Sequence, residues 1–368
     1  MNQENDEFIL PEDLQDVEII YSDNEDDEEG NYENEENPYE EVEDKSKFSF
    51  TNHEKSVFAV DISPDGKHVV TGGEDDMAFV WDIDTKEILI TCNGHKDSVS
   101  QVGFNHDGKY VATADMSGMI QVWNVSEKNL AWSNEMGDLE WLQWHPIANV
   151  LIAGFHTGEI YIWQVPSGNC KALPSHGQVS SCGKILPDGK RLVAGYGDGQ
   201  VKLWDLKTTS LLWKKTCSSG ITALAINSNG TLLGIAPTSE LALISDGRHV
   251  VTLKCDDKDD IECIEVSSEL GVIITGSISG EVCIWNLAKH VLRHKISVGC
   301  AVTVLKLGRN GELFFGAGGA IYECNAVNGT ITKGLTGHVD DILDIAVPRV
   351  GNYIVSSSDD STVKIFDI

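Results

Sequence analysis

Apolar and polar positions alternate in short runs along most of the chain, and four such runs recur in every unit of about 41 residues. The first unit covers residues 57–83 and reads VFAVDI, a SPDG turn, HVVTGG, an EDDM turn and AFVWDI. Alternation with a period of two, bounded by turns rich in Gly, Pro and Asp, predicts β-strands. We therefore expect repeating units of four antiparallel strands.

The last strand of each unit marks the repeat. Its Trp, or the residue that replaces it, falls at positions 81, 123, 163, 204, 245, 285, 324 and 366. The marks lie 39 to 42 residues apart, which leaves no interval long enough to hide another copy. A fixed period of this length with four strands per unit is typical of a β-propeller. The sequence predicts an all-β fold with eight blades over residues 47–368.

The two ends of the propeller are expected to complete each other. A short strand pattern at residues 47–51 precedes the inner strand of the first blade, whereas the last unit stops at Ile368, one strand short. An unpaired edge strand would be a liability. We expect residues 47–51 to supply the outer strand of the last blade and so to close the ring.

Residues 1–46 predict a disordered acidic leader. The first 50 residues hold 20 Asp and Glu against Lys45 and Lys47, and apolar residues are sparse. Such a segment cannot offset its ordering entropy by burial. It serves either as a solubilising tail or, through the apolar groups at 8–10 and 17–21, as a segment that binds a partner. Ser22, which precedes DNED, resembles a site for an acid-directed kinase.

Charge and cysteine content narrow the class of protein. A formal net charge of −31 disfavours direct binding to nucleic acid or to anionic membranes and favours basic partners. The nine cysteines show no Cys-x-x-Cys pair, so we expect reduced, mostly buried thiols and neither a disulfide framework nor a zinc site. We expect no signal peptide, because the first residues lack a basic region and a long apolar run, and no apolar run in the sequence reaches membrane-spanning length. We expect a monomeric, soluble intracellular protein, placed in the cytoplasm with the nucleus left open.

No motif for chemistry stands out. The chain lacks Gly-x-Ser-x-Gly, a phosphate-binding loop and His-Glu-x-x-His, and its densest glycine cluster, at 316–319, falls in a strand turn. We therefore expect no enzymatic activity, no cofactor and no metal.

The Trp-Asp strand ends, the Gly-His pairs at 94–95 and 337–338 and the isolated His53 and His176 resemble the WD-repeat family. The resemblance implies a network in each blade of a His, a Ser or Thr, an Asp and the Trp, with a structural role. The first blade matches throughout, whereas the second has Ser117 where the acid is expected. The residues assigned to this role are His53, Thr71, Asp75, Trp81, His95, Trp123, Trp163, Asp198, Trp204, Trp285, His338 and Asp360.

In the WD-repeat family the face of the ring that carries the Gly-His loops commonly receives partner peptides. Acidic and aromatic residues of this chain map to that face, and their field would attract a segment rich in Arg and Lys. The predicted partner-binding residues are Glu74, Asp76, Asp115, Asp138, Glu140, Phe155, Tyr196, Asp259, Asp260, Glu262, Asp340, Asp341 and Asp359.

A narrower resemblance rests on the LPEDL and DVEII segments of the leader, on HEKSVFAVDISPDGKHVVTGGEDDMAFVWDI and on the eight units. Together they are similar to the family of angio-associated migratory cell protein, which includes a WD-repeat ribosome-assembly chaperone. The resemblance implies a scaffold that holds a basic segment of a newly made large-subunit ribosomal protein. The alternative is an adaptor scaffold for signalling or for a ubiquitin ligase.

Overall fold

The structure, a computed structural model, describes residues 43–237, 240–245, 247–254 and 259–368. These residues form 32 strands and, within the described ranges, no helix. Residues 1–42 are not among the described residues. The predicted disorder of the leader and the kinase site at Ser22 therefore stay predictions. Cys255 and the acidic stretch 256–257 also lie outside the described residues.

The strands form eight four-stranded antiparallel sheets, which are the eight predicted blades. The first four blades comprise β2 (Val57–Ile62), β3 (His68–Gly73), β4 (Ala78–Asp82) and β5 (Ile88–Cys92); β6 (Val99–Phe104), β7 (Tyr110–Asp115), β8 (Met119–Asn124) and β9 (Asn129–Glu135); β10 (Leu139–Trp144), β11 (Val150–Phe155), β12 (Ile160–Gln164) and β13 (Cys170–Leu173); and β14 (Cys182–Ile185), β15 (Arg191–Gly195), β16 (Gln200–Asp205) and β17 (Leu211–Thr216).

The next three blades comprise β18 (Ile221–Ile226), β19 (Leu232–Pro237), β20 (Glu240–Ser245) and β21 (Arg248–Lys254); β22 (Ile261–Ser267), β23 (Val272–Ser277), β24 (Glu281–Asn286) and β25 (Val291–Ser297); and β26 (Val302–Leu307), β27 (Glu312–Ala317), β28 (Ala320–Asn325) and β29 (Ile331–Thr336). The eighth blade combines β30 (Ile342–Ala346), β31 (Tyr353–Ser358) and β32 (Val363–Asp367) with β1 (Phe48–Phe50) from the start of the propeller.

The predicted closure is confirmed. Phe48 pairs with Ile365 and Phe50 with Val363 in an antiparallel ladder, so that β1 is the fourth strand of the last sheet. The residues just before β1 also lie along this edge. Lys45 N donates to Thr336 O over 2.9 Å, and the Asp44 carboxylate accepts a hydrogen bond from the nearly buried ammonium of Lys364. Residues 43–46, which the sequence analysis assigned to the leader, therefore contact the propeller.

The hydrophobic core is divided among the seams between neighbouring blades. Eight clusters of buried side chains fill these seams, and a side chain from the Trp position is buried in most of them. Each blade has both faces covered by its neighbours, which explains why second strands such as β3, β11 and β23 are almost entirely buried. The first strand of each blade packs against the first strands of its neighbours and lines the central channel.

Candidate partner-binding face

Strand order divides the connections of the propeller between two faces. In each antiparallel blade the turn after the first strand and the turn after the third lie at one end, which we call the turn face. The turn after the second strand and the connection to the next blade lie at the other end, which we call the loop face. The predicted partner-binding residues belong to loop-face connections or to the strand ends beside them.

A histidine beneath the loop face anchors the connection into the first blade. His53 Nδ1 lies 3.0 Å from the Asp75 carboxylate, and Nε2 lies 2.9 Å from Thr71 Oγ1. Burial would raise the pKa of Asp75, but the hydrogen bond and charge of His53, with backbone donors, hold it below its ordinary value. The eighth blade repeats the arrangement, with His338 Nδ1 2.8 Å from Asp360 and Nε2 2.8 Å from Ser356 Oγ. The structure thus brings these residues together in the arrangement that the resemblance implied.

The second blade corrects two predictions at once. This blade was expected to lack the acid of the network, because Ser117 stands at its place. The structure supplies the acid from Asp115, whose Oδ2 lies 3.2 Å from His95 Nδ1, and the Ser117 hydroxyl donates to the same carboxylate. Burial would raise the pKa of Asp115, but the bonds from His95 and from the N–H groups of Lys96 and Met119 lower it to about 2. Asp115 is fully buried, so it is not available to a partner.

The register of the strands explains this exchange. Asp115 pairs with Val99 at the end of its strand, as Gly73 pairs with Val57 in the first blade. A Cβ placed on Gly73 would lie 2.7 Å from His53 Nδ1, so a side chain at this register position points at the histidine. The second blade supplies its carboxylate from the strand, and the first blade supplies it from the turn.

The tryptophans contribute less to the networks than the resemblance implied. Trp81 and Trp204 are buried, yet their Nε1 atoms have no hydrogen-bond partner among the described residues. Trp123 Nε1 donates to Gln121 Oε1 and bypasses Thr113. Among the hydrogen bonds of the described residues, that of Trp285 alone follows the expected pattern, with Nε1 3.5 Å from Thr275 Oγ1. Their larger contribution, with Trp163, is the apolar filling of the seams.

An acidic patch forms on the loop face where the last blade meets the first. Asp340, Asp341 and Asp359 are exposed on the eighth blade. Asp359 N donates to Asp341 O over 2.9 Å, and its carboxylate accepts a hydrogen bond from Ser56 Oγ across the seam. Ser56 O in turn accepts from Glu74 N, which joins Glu74 and its neighbour Asp76 to the patch. Among the described residues, Glu74 has one ion-pair partner, Lys55, whose Nζ lies 3.7 Å from Glu74 Oε1.

Two smaller acidic groups lie elsewhere on the same face. Asp260 and Glu262 are exposed at the entry to the sixth blade, where partial burial and the Asp260 charge raise the pKa of Glu262. Asp138 is exposed in the third blade, and the Glu140 carboxylate lies 2.8 Å from His156 Nδ1. Among the loop-face acids, the contacts join those of blades one and eight directly.

Three further predicted partner-binding residues are buried and are corrected here. Phe155 is 1% exposed and packs against Tyr161 and Trp163. Tyr196 is fully buried, and its ring centroid lies 4.5 Å from that of His176. His176 Nε2 in turn lies 2.9 Å from the Asp198 carboxylate, as expected for the fourth blade. Asp259 is 8% exposed and accepts a hydrogen bond from Ser279 N. Phe155 ends a second strand and Tyr196 directly follows one, and both side chains pack into seam clusters, which sequence position alone does not show.

Exposed apolar side chains also lie on the loop face, and the sequence had not predicted them. Val339 is 91% exposed beside Asp340, Ile278 is 52% exposed and donates through its N–H to Asp260 O, and Met116 is 42% exposed after Asp115. Apolar residues in turns that otherwise favour polar residues were the available signal. They provide contact surface next to the carboxylates.

The central channel holds a cluster of opposite charges that the sequence did not reveal. Asp61 is partly buried and accepts a hydrogen bond from Phe104 N over 2.8 Å, and desolvation raises its pKa to about 6. Lys306 Nζ lies 3.7 Å from Asp344 Oδ1, and the charge of Asp344 raises the pKa of Lys306. Burial raises the pKa of the neighbouring Glu265 carboxyl. Asp61, Glu265 and Lys306 line a common cavity of about 250 Å³.

The described residues bear on the expectations about metal sites, cysteines and membrane-spanning segments. No cluster of three or more His, Cys, Asp or Glu side chains suited to a metal ion occurs in these residues. Their cysteines are free, although Cys170 and Cys300 are exposed and not buried as expected. Among the same residues, no helix has the length and apolar character needed to span a membrane.

The sequence profile of the WD domain, G-beta repeat, matches residues 44–82, 86–124, 168–205 and 329–367. These four segments hold His53, His95, His176 and His338, each of which pairs with the carboxylate of an Asp 20 or 22 residues later. Over 355 residues the chain is 34% identical to human angio-associated migratory cell protein, with 88% of this chain and 80% of the relative covered. The chain belongs to this family.

Other relatives of the family share the fold. Ribosome assembly protein SQT1 of Saccharomyces cerevisiae is 26% identical over 95% of this chain and 93% of its own length. The crystal structure of that protein superposes with a TM-score of 0.82 at 25% identity, over 89% of this chain and all of the other. Sqt1 of Chaetomium thermophilum, bound to the N-terminus of the ribosomal protein L10, superposes with a TM-score of 0.81 at 19% identity over the same shares. The chain is thus a WD-repeat propeller scaffold.

Proposed function

We propose that this protein is a chaperone without enzymatic activity that holds a basic segment of a newly made large-subunit ribosomal protein before its assembly into the ribosome. The observation that carries the proposal is the acidic patch on the loop face, formed by Glu74, Asp76, Asp340, Asp341 and Asp359 around the closing seam. The similarity to yeast Sqt1 and the L10 segment bound to its Chaetomium counterpart support it.

The chemistry of the patch suits an extended basic segment. Exposed carboxylates attract guanidinium and ammonium groups, and exposed apolar side chains such as Val339 and Ile278 offer contact to the stems of Arg and Lys. Binding shields the positive charge of the client from stray phosphate until delivery. We place this activity in the cytoplasm, where new ribosomal proteins are made, and leave the nucleus open.

A capture experiment tests the proposal. Tagged full-length protein is compared with a variant in which Glu74, Asp76, Asp260 and Glu262 are changed to Lys, all four being loop-face carboxylates. Asp84, Glu87, Glu127 and Glu269 are exposed on the turn face, and their change to Lys makes a control with the same change in net charge. We expect wild type and control to retain a basic large-subunit ribosomal protein and the loop-face variant to lose it.

The outcome also separates the proposal from the adaptor alternative. Capture of ubiquitin-ligase subunits or receptor tails, without ribosomal proteins, would favour an adaptor. Capture of the same ribosomal protein by the loop-face variant would place the binding surface elsewhere.

A further inference from the structure

The turn face carries a cavity of about 470 Å³ at the seam between the third and fourth blades. Its apolar wall comes from Val150, Ile162 and Leu206, and three lysines, Lys171, Lys190 and Lys207, line it as well. It lies on the opposite face from the acidic patch and contains none of the residues discussed for partner binding there.

The cavity arises because the third blade has one residue fewer than the second and fourth between its Trp and the outer-strand residue that pairs with the position before the Trp. In the second and fourth blades the outer strand bulges beside the Trp position and then places Trp132 and Trp213 opposite Val122 and Leu203. The third blade has no bulge, and Lys171 takes the corresponding place opposite Ile162.

The two tryptophans fill the equivalent space at their own seams. A Cβ placed on Gly168, in the next blade's turn, would lie 2.8 Å from Trp132 Nε1, and one on Gly247 would lie 3.0 Å from Trp213 Cδ1. Lys171 instead reaches across the seam and donates from Nζ to Lys207 O over 3.1 Å. The third seam thus keeps the space of an indole ring but carries an ammonium group in place of the ring.

The charge around this cavity is opposite to that of the protein as a whole. Lys171, Lys190 and Lys207 are exposed, and no carboxylate of the described residues forms an ion pair with them. The one acid in the lining, Asp205, accepts hydrogen bonds from the N–H groups of Lys207 and Thr208 and from the Thr208 hydroxyl. His145 is occupied too, because Nε2 donates to Gly189 O and Nδ1 accepts from Ile147 N.

The geometry points to a second docking site, which takes an extended acidic segment of another protein. An aromatic side chain of that segment enters the cavity in the manner of Trp132 at the neighbouring seam, and flanking carboxylates pair with Lys171, Lys190 and Lys207. An aromatic anchor in a preformed pocket with charged groups at its rim is a common arrangement for peptide recognition. The site is independent of the basic client on the loop face.

The test uses the full chain and the acetylated, amidated peptide Asp-Glu-Trp-Glu-Asp with a fluorinated indole, whose line width in fluorine NMR reports binding. We expect saturable binding, with loss of binding when Trp is replaced by Ala in the peptide or when its acids are replaced by Lys. Lys171→Trp, which fills the cavity as Trp132 does, should abolish binding. Lys190→Glu with Lys207→Glu should weaken it about 10-fold or more.

The control is Lys289→Glu, an exposed lysine in the corresponding turn of the sixth blade, which should leave the affinity unchanged. Because the two charge reversals are on the surface, they test the site even if Lys171→Trp fails to fold. Absence of saturable binding, equal binding to the Lys171→Trp protein, or equal binding of the basic peptide would overturn the proposal. Binding of a basic segment to the loop face should not displace the probe, so the two sites can fail separately.

Discussion

Phe50 stacks on Trp81 with ring centroids 5.0 Å apart and planes 7° from parallel, so a residue of the last blade packs against the hallmark tryptophan of the first. Both side chains are buried in the same cluster. The contact joins the two ends of the ring through side chains as well as through the β1–β32 ladder.

We therefore expect Phe50→Ala to lower the free energy of unfolding by about 3–5 kcal/mol, the usual cost of removing a buried Phe. Deletion of residues 1–52 should lower the melting temperature more than deletion of 1–46, because only the former removes β1. Deletion of 1–42, which keeps Asp44 and its contact with Lys364, should have the smallest effect. Thermal unfolding of the three truncations measures the order, and equal melting temperatures would contradict closure by β1.

The assignment of the acid in the second blade has its own test. Asp115→Asn should destabilise the protein by about 1–3 kcal/mol, because a buried carboxylate that accepts bonds from His95 and two backbone N–H groups is replaced. Ser117→Ala, which removes only one donor to that carboxylate, should cost less. Urea unfolding of both variants decides between them. A larger loss of stability for Ser117→Ala than for Asp115→Asn would contradict the assignment of Asp115 as the acid of the second blade.

The partly buried carboxyl of Asp61 predicts a dependence of stability on pH. Its pKa in the folded protein, about 6, lies above the ordinary value of 3.8, so folding favours the protonated form. Ionisation of Asp61 therefore costs stability as pH rises from about 4 to 6, by roughly 2–3 kcal/mol for a shift of this size. Asp61→Asn should remove this loss and make the protein more stable than wild type at pH 7, but not at pH 4.

Urea unfolding at both pH values measures the effect, with Asp84→Asn, a change of an exposed aspartate, as the control. A wild-type stability that rises between pH 4 and 7 relative to that of Asp61→Asn would contradict the prediction and show that Lys306 holds the carboxylate charged.

The sequence predicted the fold well because its repeat is redundant. Eight copies of one strand pattern define the blades even where Ser245 and Cys324 replace the Trp, and the missing last strand identifies β1 as its substitute. Local pattern was enough for His53, His338 and their acids, since these residues recur at a fixed spacing within the blade.

The site was harder to predict, because exposure depends on register. Asp115 and Phe155 end their second strands with side chains turned into a seam, whereas Asp359, one residue beyond such a strand, faces solvent. A shift of one residue along the chain therefore decides whether a side chain is buried or exposed. Because the turns differ in length between blades, the sequence alone does not set this position. The channel charges could not be predicted either, because Asp61 and Lys306 come from blades that lie far apart in the chain.

The most direct measurement of the central claim is the affinity of the full-length protein for the basic N-terminal segment of the organism's own L10-type ribosomal protein, titrated at about 0.05 M and about 0.5 M salt. We expect the affinity to fall steeply with salt. At low salt, changing Glu74, Asp76, Asp260 and Glu262 to Lys should remove four exposed pairs, worth roughly 0.5 kcal/mol each, and weaken binding on the order of 30-fold or more. The turn-face control should bind like wild type. An affinity indifferent to salt and to the loop-face reversal would contradict the account.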